Sequence, residues 1–333
     1  MNKITILIPT RNRSEFIDDF INISLKEYSG NLFNILIVDS SSDDKTAIAV
    51  SLYNKETIKK INYFRLPFDT KVDEKVLFGI SKVKTDFLYL QNDRHITDLN
   101  TLDNFLNKSK FYQYDILNIN SDKSFFYKYN KSKIINTIYE STNLLEFCSQ
   151  SFSYMTLYGS SIVKTNLLTS KIAQDIWANY KNANYGCYLY VSAIFAGAHH
   201  LTNINSKYGI AFLDFIKFNN RKGVSWNNGI SWFETFFKEF NRDVDLLPTY
   251  FNSIKDSIII QYHKDWNQIS LRGLIYYKAI GTLKFSYIRK YKKELKRCHY
   301  HYGLMIFVSL FIPSFICREI KTIYHKIKAR IAK

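Results

Sequence analysis

The stretch Ile4 to Arg13, ITILIPTRNR, decides how this chain is read. Ile4-Thr5-Ile6-Leu7-Ile8 is a short apolar, β-branched run that Pro9 stops, the pattern of a strand buried on both faces. Ser14 is placed to cap a helix carrying Phe16, Ile17, Phe20, Ile21, Ile23 and Leu25, which ends near Gly30. The pattern then repeats. Ile35 to Val38 is a second strand, Asp39 to Asp44 a polar loop, and a helix follows through Tyr53. Ile61 to Phe64 is a third strand ended by Pro67, and Val72 to Val83 a third helix. Phe87 to Leu90 is a fourth strand running into Gln91-Asn92-Asp93-Arg94-His95. Alternation of this kind predicts a parallel sheet wound with right-handed crossovers, in which ligands bind beyond the carboxyl ends of the strands. Thr10 to Arg13, Asp39 to Asp44 and Asp93 to His95 all fall at such ends.

The rest of the chain is less regular. Residues 111–165 read as short strands and loops, Lys171 to Tyr180 and Tyr185 to Ala198 as helices. Residues 204–283 mix loops, such as 219–223, with helical patterns at Trp232 to Phe240 and Ile254 to Tyr262. There is no internal repeat. Of 333 residues, 46% are apolar and 17% aromatic, with only 11 glycines and four prolines, which excludes a disordered or collagen-like chain. The four cysteines, Cys148, Cys187, Cys298 and Cys317, are far apart and form no C-x-x-C pair, against a disulfide scaffold or zinc ribbon. Met1-Asn2-Lys3 leads straight into the first strand without signal-peptide architecture, so a cytoplasmic location is expected.

The formal charge of +17 is uneven. Residues 284–333 hold 13 Lys and Arg against Glu294 and Glu319, a net of +11, which leaves +6 for the first 283 residues. Within that tail, basic residues flank a nearly apolar run from Gly303 to Cys317. Fifteen residues span roughly 22 Å as a helix, short of the ~30 Å hydrocarbon core, and Pro313 interrupts them. Ile320, Ile323, Tyr324, Ile327 and Ile331 then form an apolar stripe. An interfacial segment meeting anionic lipid is the expectation for 284–333, against packing on the rest of the chain or on a second subunit. A nucleic-acid binder is disfavoured because the charge sits in this apolar tail.

ITILIPTRNR followed by ILIVDSSSDDKT at residues 35–46 resembles the start of a family 2 glycosyltransferase with the GT-A fold. Pro9-Thr10-Arg11-Asn12 and Val38-Asp39 match that family's first two strand ends, and Ser40 to Asp44 stands for its turn without the usual glycine. Gly79-Ile80 ahead of Asp86 to Leu90 matches the helix and strand before the metal-binding D-x-D. The resemblance covers about residues 3–100. It implies an α/β, GT-A-like (Rossmann-like), mostly parallel sheet flanked by helices, with a helical basic C-terminal extension. The expected domains are 1–210 for nucleotide-sugar binding and catalysis, 211–283 for a helical and loop extension on the acceptor side, and 284–333 for membrane association.

The resemblance also implies roles. Pro9, Thr10, Arg11 and Arg13 would line the donor pocket, and Asp39 would accept from a base N–H; a turn former or helix cap is the plain alternative for Asp39. Lys71, with Lys75, would lie near the phosphates or on a solvated helix face. At the fourth strand the D-x-D maps onto Gln91 and Asp93, or onto Asn92 and Arg94. In the first register Asp93, with His95, would hold a divalent cation, Mn2+ or Mg2+; in the second, Arg94 would neutralise diphosphate directly. The family's Glu-Asp pair before an apolar helix is absent, and Asp175 is the nearest candidate base; His199-His200 is a base or phosphate contact or a plain helix C-terminus. The implied activity is hexosyl transfer, with inversion, from a nucleotide-sugar donor to a lipid-linked or surface-polysaccharide acceptor at the inner membrane face. A catalytically inactive assembly partner is the alternative. A sugar nucleotidyltransferase is disfavoured because Pro9 to Arg13 has no glycine loop. The oligomeric state is left open.

Overall fold

The computed structural model describes residues 3–56, 61–120, 137–180, 188–219, 234–266, 268, 270–298 and 302–331. Two compact units make up the chain, the first running to residue 226 apart from 185–187, the second covering 227–333. The boundary expected at 210/211 falls inside a strand of the first unit.

The first unit is built on one sheet. Strands β1 (Ile4–Thr10), β2 (Phe33–Asp39), β3 (Ile61–Arg65) and β4 (Phe87–Leu90) are mutually parallel, as the alternating pattern predicts, and lie in the order β3-β2-β1-β4. Every residue of β1 is buried, because helices cover both faces of a parallel sheet. The sheet continues through β8 (Ser161–Lys164), β6 (Ile116–Asn120), β9 (Tyr208–Phe212) and β7 (Tyr139–Ser141), with β8 antiparallel to both of its neighbours. A separate two-stranded ribbon pairs β5 (His95–Thr97) with β10 (Ile216–Phe218).

The helices beside the parallel half are α1 (Ser14–Asp19), which runs on as a π-helical turn through Leu25, α2 (Lys45–Glu56), α3 (Val72–Lys82) and α4 (Leu99–Lys108). Residues 111–165, expected to be strands and loops, also contain a 12-residue helix, α5 (Leu144–Met155). The Asn143 side chain caps it by accepting from the Glu146 N–H, and Leu144, Phe147, Cys148, Ser151, Phe152 and Met155 form its buried face. α6 (Thr165–Thr169) and α7 (Lys171–Tyr180) lead to α8 (Leu189–Leu201), buried on nearly every side; the helix start expected at 185–187 lies outside the described residues.

The second unit is helical: a π-helical turn over Glu234–Glu239, then α9 (Phe240–Asp245), α10 (Lys255–Asp265), α11 (Leu271–Ala279), α12 (Phe285–Lys290), α13 (Lys292–Arg297), α14 (Tyr302–Phe311) and α15 (Ser314–Ile331). Stacked rings form its core, Phe240 on Tyr262 at 3.7 Å and Phe237 on His263 at 4.3 Å between centroids. Burial pushes the His263 pKa down to about 3, so the ring is neutral. Arg297 ties α13 to the earlier helices through Asp245 and Asp256, at 2.8 and 2.6 Å. The part of the loop expected at 220–223 and the helix start at 232–233 lie outside the described residues.

Gly197 marks a close approach of α8 to α6 in the first unit. A Cβ there would lie 1.9 Å from the Leu167 carbonyl oxygen of α6, a backbone atom with nowhere to go. Gly197→Ala is expected to cost about 1–3 kcal/mol, as overpacking of well-packed interiors does, read as a lower urea midpoint with an unchanged denaturant slope.

Candidate functional site

The carboxyl ends of β1, β2 and β4 lie side by side, and the residues that leave them converge. Thr10 stands opposite Asp39 in the β1–β2 register. Its hydroxyl donates to Asp93 Oδ2 at 2.9 Å, and Arg13 Nη1 donates to Asp93 Oδ1 at 2.6 Å. Both Asp93 oxygens are thus engaged, in an ion pair whose side chains are only 10% and 5% exposed. At such burial the pair is charge-assisted and weakly screened.

Asp39 is fully buried. Its Oδ1 accepts from the Ser41 N–H at 2.9 Å and the Ser41 hydroxyl at 2.5 Å, a turn two residues long. Its Oδ2 accepts from the Tyr63 hydroxyl at 2.9 Å. Burial first, then Asp39 as acceptor and anion, push the Tyr63 phenol well above its usual range. Asp39 therefore does the work of a turn former, and Oδ2 keeps one lone pair for a further donor. Tyr63 was not singled out in the sequence; the signal was its position on β3, two residues before the Arg65 that pairs with Asp39 in register.

The first two loops are sewn together. The Asn12 N–H, at φ +53°, donates to Ser41 Oγ at 2.7 Å. The Asn12 side-chain oxygen accepts from the Ser42 N–H at 2.9 Å and from its hydroxyl at 3.1 Å. Arg11 reaches outward to Asp69 at 3.0 Å, and Arg65 pairs with Asp44.

Of the two lysines, Lys75 is the one brought to the edge. It is 5% exposed, and its Nζ donates to the Thr10 carbonyl at 2.8 Å and to Ser40 Oγ at 3.1 Å. Burial lowers its pKa to about 8, with Asp93 opposing and Arg11 adding to the shift. Lys71 is exposed at the start of α3, where its N–H donates to Glu74. Of the pair, Lys75, one turn further along than Lys71, is the lysine that lies against the Thr10 loop.

The D-x-D region keeps one carboxylate facing the site. Gln91 is buried, accepting from Thr97 Oγ1 at 3.0 Å, and Asn92 accepts from the Arg94 N–H at 2.9 Å. His95 packs against Gly159, where a Cβ would lie 2.7 Å from its Nδ1, and burial lowers its pKa to about 4. Among the described residues, no three His, Cys, Asp or Glu side chains group to hold a metal ion. With a single carboxylate, each of whose oxygens already accepts from Thr10 or Arg13, and that arginine's positive charge in contact with it, the described side chains do not fit the Mn2+ or Mg2+ site expected of Asp93 and His95. Arg94 instead lies with Arg13 around one ring, their guanidinium carbons 5.6 and 5.9 Å from the Phe16 centroid.

The other candidates lie elsewhere. Thr165, which starts α6, donates to the Asp86 carbonyl at the opposite edge of the sheet. Asp175, on α7 soon after, is exposed, and no hydrogen bond among the described residues links it to the cluster. His199-His200 ends α8 shortly before β9 begins, also at that opposite edge. Burial and the neighbouring His200 lower the pKa of His199.

Residues 5–161 match the family described as Glycosyl transferase family 2. No curated protein matches the chain significantly. Among solved structures, S. aureus TarS 1-349 in complex with UDP-GlcNAc is similar with a TM-score of 0.59 at 16% identity, over 92% of this chain and 81% of that one. A longer S. aureus TarS chain gives 0.53 at 15%, over 92% and 52%. Glucosyl-3-phosphoglycerate synthase from Mycobacterium tuberculosis with Mn2+, UDP-Glc and phosphoglyceric acid gives 0.46 at 11%, over 74% and 81%. At these identities the likeness to TarS is one of fold.

Lys75 generates a pH prediction. A lysine whose folded pKa falls from 10.5 to about 8 binds fewer protons in the folded than in the unfolded chain between those values. Its contribution to stability therefore rises as pH climbs through that window, and below about pH 8 its burial costs stability in full. Urea midpoints measured from pH 8 to pH 10 should show this rise, and Lys75→Met should remove it.

Proposed function

We propose that this chain, whose residues 5–161 match Glycosyl transferase family 2 and whose fold is similar to that of TarS, is a glycosyltransferase that moves a sugar from a nucleoside-diphosphate donor to a lipid-linked or surface-polysaccharide acceptor at the cytoplasmic face of the membrane, with inversion. The observation that carries the donor half is the Thr10–Asp93–Arg13 cluster beside Asp39 and Lys75 at the carboxyl edge of the parallel strands. A nucleoside diphosphate needs a donor-accepting pocket for its base and positive charge for its phosphates, and this edge supplies both within one set of loops. The UDP-GlcNAc complex of TarS supports a nucleotide-sugar for a fold of this kind. In the reaction the acceptor oxygen attacks the anomeric carbon, the bond to the diphosphate breaks, and the acceptor proton passes to a base.

The acceptor half rests on the second unit. Residues 302–311 and 314–324 form a bent pair of apolar helices, 104° apart, and no single described helix is long and apolar enough to cross a membrane. The bend exposes Phe307, Leu310, Phe311, Phe315, Ile320 and Ile323, with Phe311 68% accessible. Large exposed apolar side chains on a basic segment suit the interface of an anionic bilayer. A second reading, a catalytically inactive assembly partner, is favoured by one observation, the single carboxylate left in the D-x-D region.

Two experiments test these halves. Incubation with UDP-, GDP-, dTDP- and CMP-sugars should release nucleotide from one donor class, and Arg13→Ala should reduce that turnover by about a hundredfold. Nucleotide binding without turnover on any acceptor would favour the inactive partner, and no binding by any donor would end the glycosyltransferase reading. Vesicles containing phosphatidylglycerol should float the intact chain, and Phe311→Asp with Phe315→Asp should abolish flotation; unchanged flotation would refute the helix corner as the contact.

A further inference from the structure

The D-x-D region of this chain has the wrong charge for its expected tenant. A divalent cation in such a site sits between carboxylates and diphosphate, neutralising both. Here Gln91 and Asn92 are neutral amides, His95 is a packed neutral ring, and Asp93 is the sole carboxylate. Its oxygens already accept from Thr10 and from a guanidinium at 2.6 Å. A cation arriving at Asp93 would meet Arg13 at contact distance, and Arg94 shares the Phe16 ring with it. Lys75 lies behind the same loop, bonded to the Thr10 carbonyl. Two anions, Asp39 and Asp93, against three cationic side chains, Arg13, Arg94 and Lys75, leave this edge net positive by one charge before any ligand binds. That balance complements a nucleoside diphosphate directly, and a second pair of positive charges would oppose it.

We infer that Arg13 and Arg94 take up the charge of the donor diphosphate in place of a divalent cation, and that Asp93 is a positioning residue that holds Arg13. The inference rests on the glycosyltransferase reading and names the group that binds the leaving nucleotide. A guanidinium is planar, permanently charged and presents paired donors, so two of them reproduce the contacts a bridging cation would make to phosphate oxygens. The shared ring of Phe16 keeps both close to the strand end, and the bond to Asp93 orders Arg13 before the donor arrives. As the glycosidic bond breaks, negative charge grows on the departing diphosphate and the two guanidinia receive it; no metal–oxygen bond forms or breaks.

The test uses the full chain and measures UDP and GDP affinity by calorimetry, in EDTA and in Mn2+. The inference expects the same affinity in both buffers within about twofold, and no protein-bound Mn2+ by electron paramagnetic resonance with or without nucleotide. In EDTA, Arg13→Ala and Arg94→Ala should each weaken binding by about ten- to a hundredfold, the loss of a charge-assisted contact, while thermal melting shows each variant folded. Arg13→Lys should restore part of the affinity. Because Asp93 acts through Arg13, adding Asp93→Asn to Arg13→Ala should weaken nucleotide binding no further than Arg13→Ala alone, a coupling that a merely structural aspartate would not show. Nucleotide binding that tightens tenfold or more with Mn2+ and loses that gain in Asp93→Asn would overturn the inference and leave the donor reading intact. Failure of both nucleotides to bind in either buffer, with every donor of the panel also silent, would overturn both.

Discussion

Thr10 is where three elements of the first unit are fastened together. Its carbonyl accepts from the Ser40 N–H at 3.1 Å and from Lys75 Nζ at 2.8 Å, and its hydroxyl donates to Asp93 at 2.9 Å. One residue at the end of β1 thereby joins the β2 loop, helix α3 and the residues beyond β4. It can do so because β1 is paired on both sides, with β2 and β4, and parallel strands about 4.8 Å apart deliver their carboxyl ends to one line. The Asn12–Ser41–Ser42 bonds, the Asp39 turn and the Arg13 ion pair all presuppose that line. Shift β1 by one residue and Thr10 would face the opposite side of the sheet.

Charge at that edge is held in a low-dielectric setting, which raises the stakes of each contact. Asp39, with three donors, and Asp93, with two, are buried carboxylates compensated by hydrogen bonds, so both act as fixed points of the loops around them. Lys75 donates to neutral oxygens, and the nearby Asp93 and Asp39 charges offset only part of the desolvation that lowers its pKa. Such a lysine is poorly satisfied in the free protein, and an anion nearby would stabilise its charged form. Preorganised donors of this kind act on a ligand without the reorganisation that water would require.

The second unit follows a different logic. Its interior is a stack of aromatic rings around a neutral buried histidine; Arg297 pairs across helices near the surface, and Arg242 pairs locally with the buried Glu239 and Asp243. The net +11 of residues 284–333 surrounds a helix corner that turns large apolar side chains outward. The proposed membrane contact draws on this corner, where cations lie beside exposed apolar groups. Eleven of the 17 net positive charges thus belong to this region, while the strand edge sets its own balance with a handful of buried groups.

Much of this was legible along the chain. The four strand-like runs and the helices between them identified the parallel half-sheet, because burial on both faces leaves a nearly continuous apolar signature at β1, β2 and β4 and the right-handed crossover rule limits what can follow. The same reading located Thr10, Arg13, Asp39 and Asp93 at strand ends. It passed over α5, whose Asn143 cap and apolar spacing were present but lay in a segment rich in polar and aromatic residues. It named Lys71 and Lys75 together, since position on a helix does not say which side chain is buried. It paired Asp93 with His95 because they are two residues apart, yet one ends in an ion pair with Arg13 and the other against Gly159. By itself, then, the sequence determined the order and direction of the strands and so the edge where chemistry would gather, through periodicities that act over a few residues. Only the tertiary structure decided which groups meet there: partners 80 or more residues apart, such as Arg13 and Asp93, are chosen by how the strand ends dock, and nothing local encodes that choice.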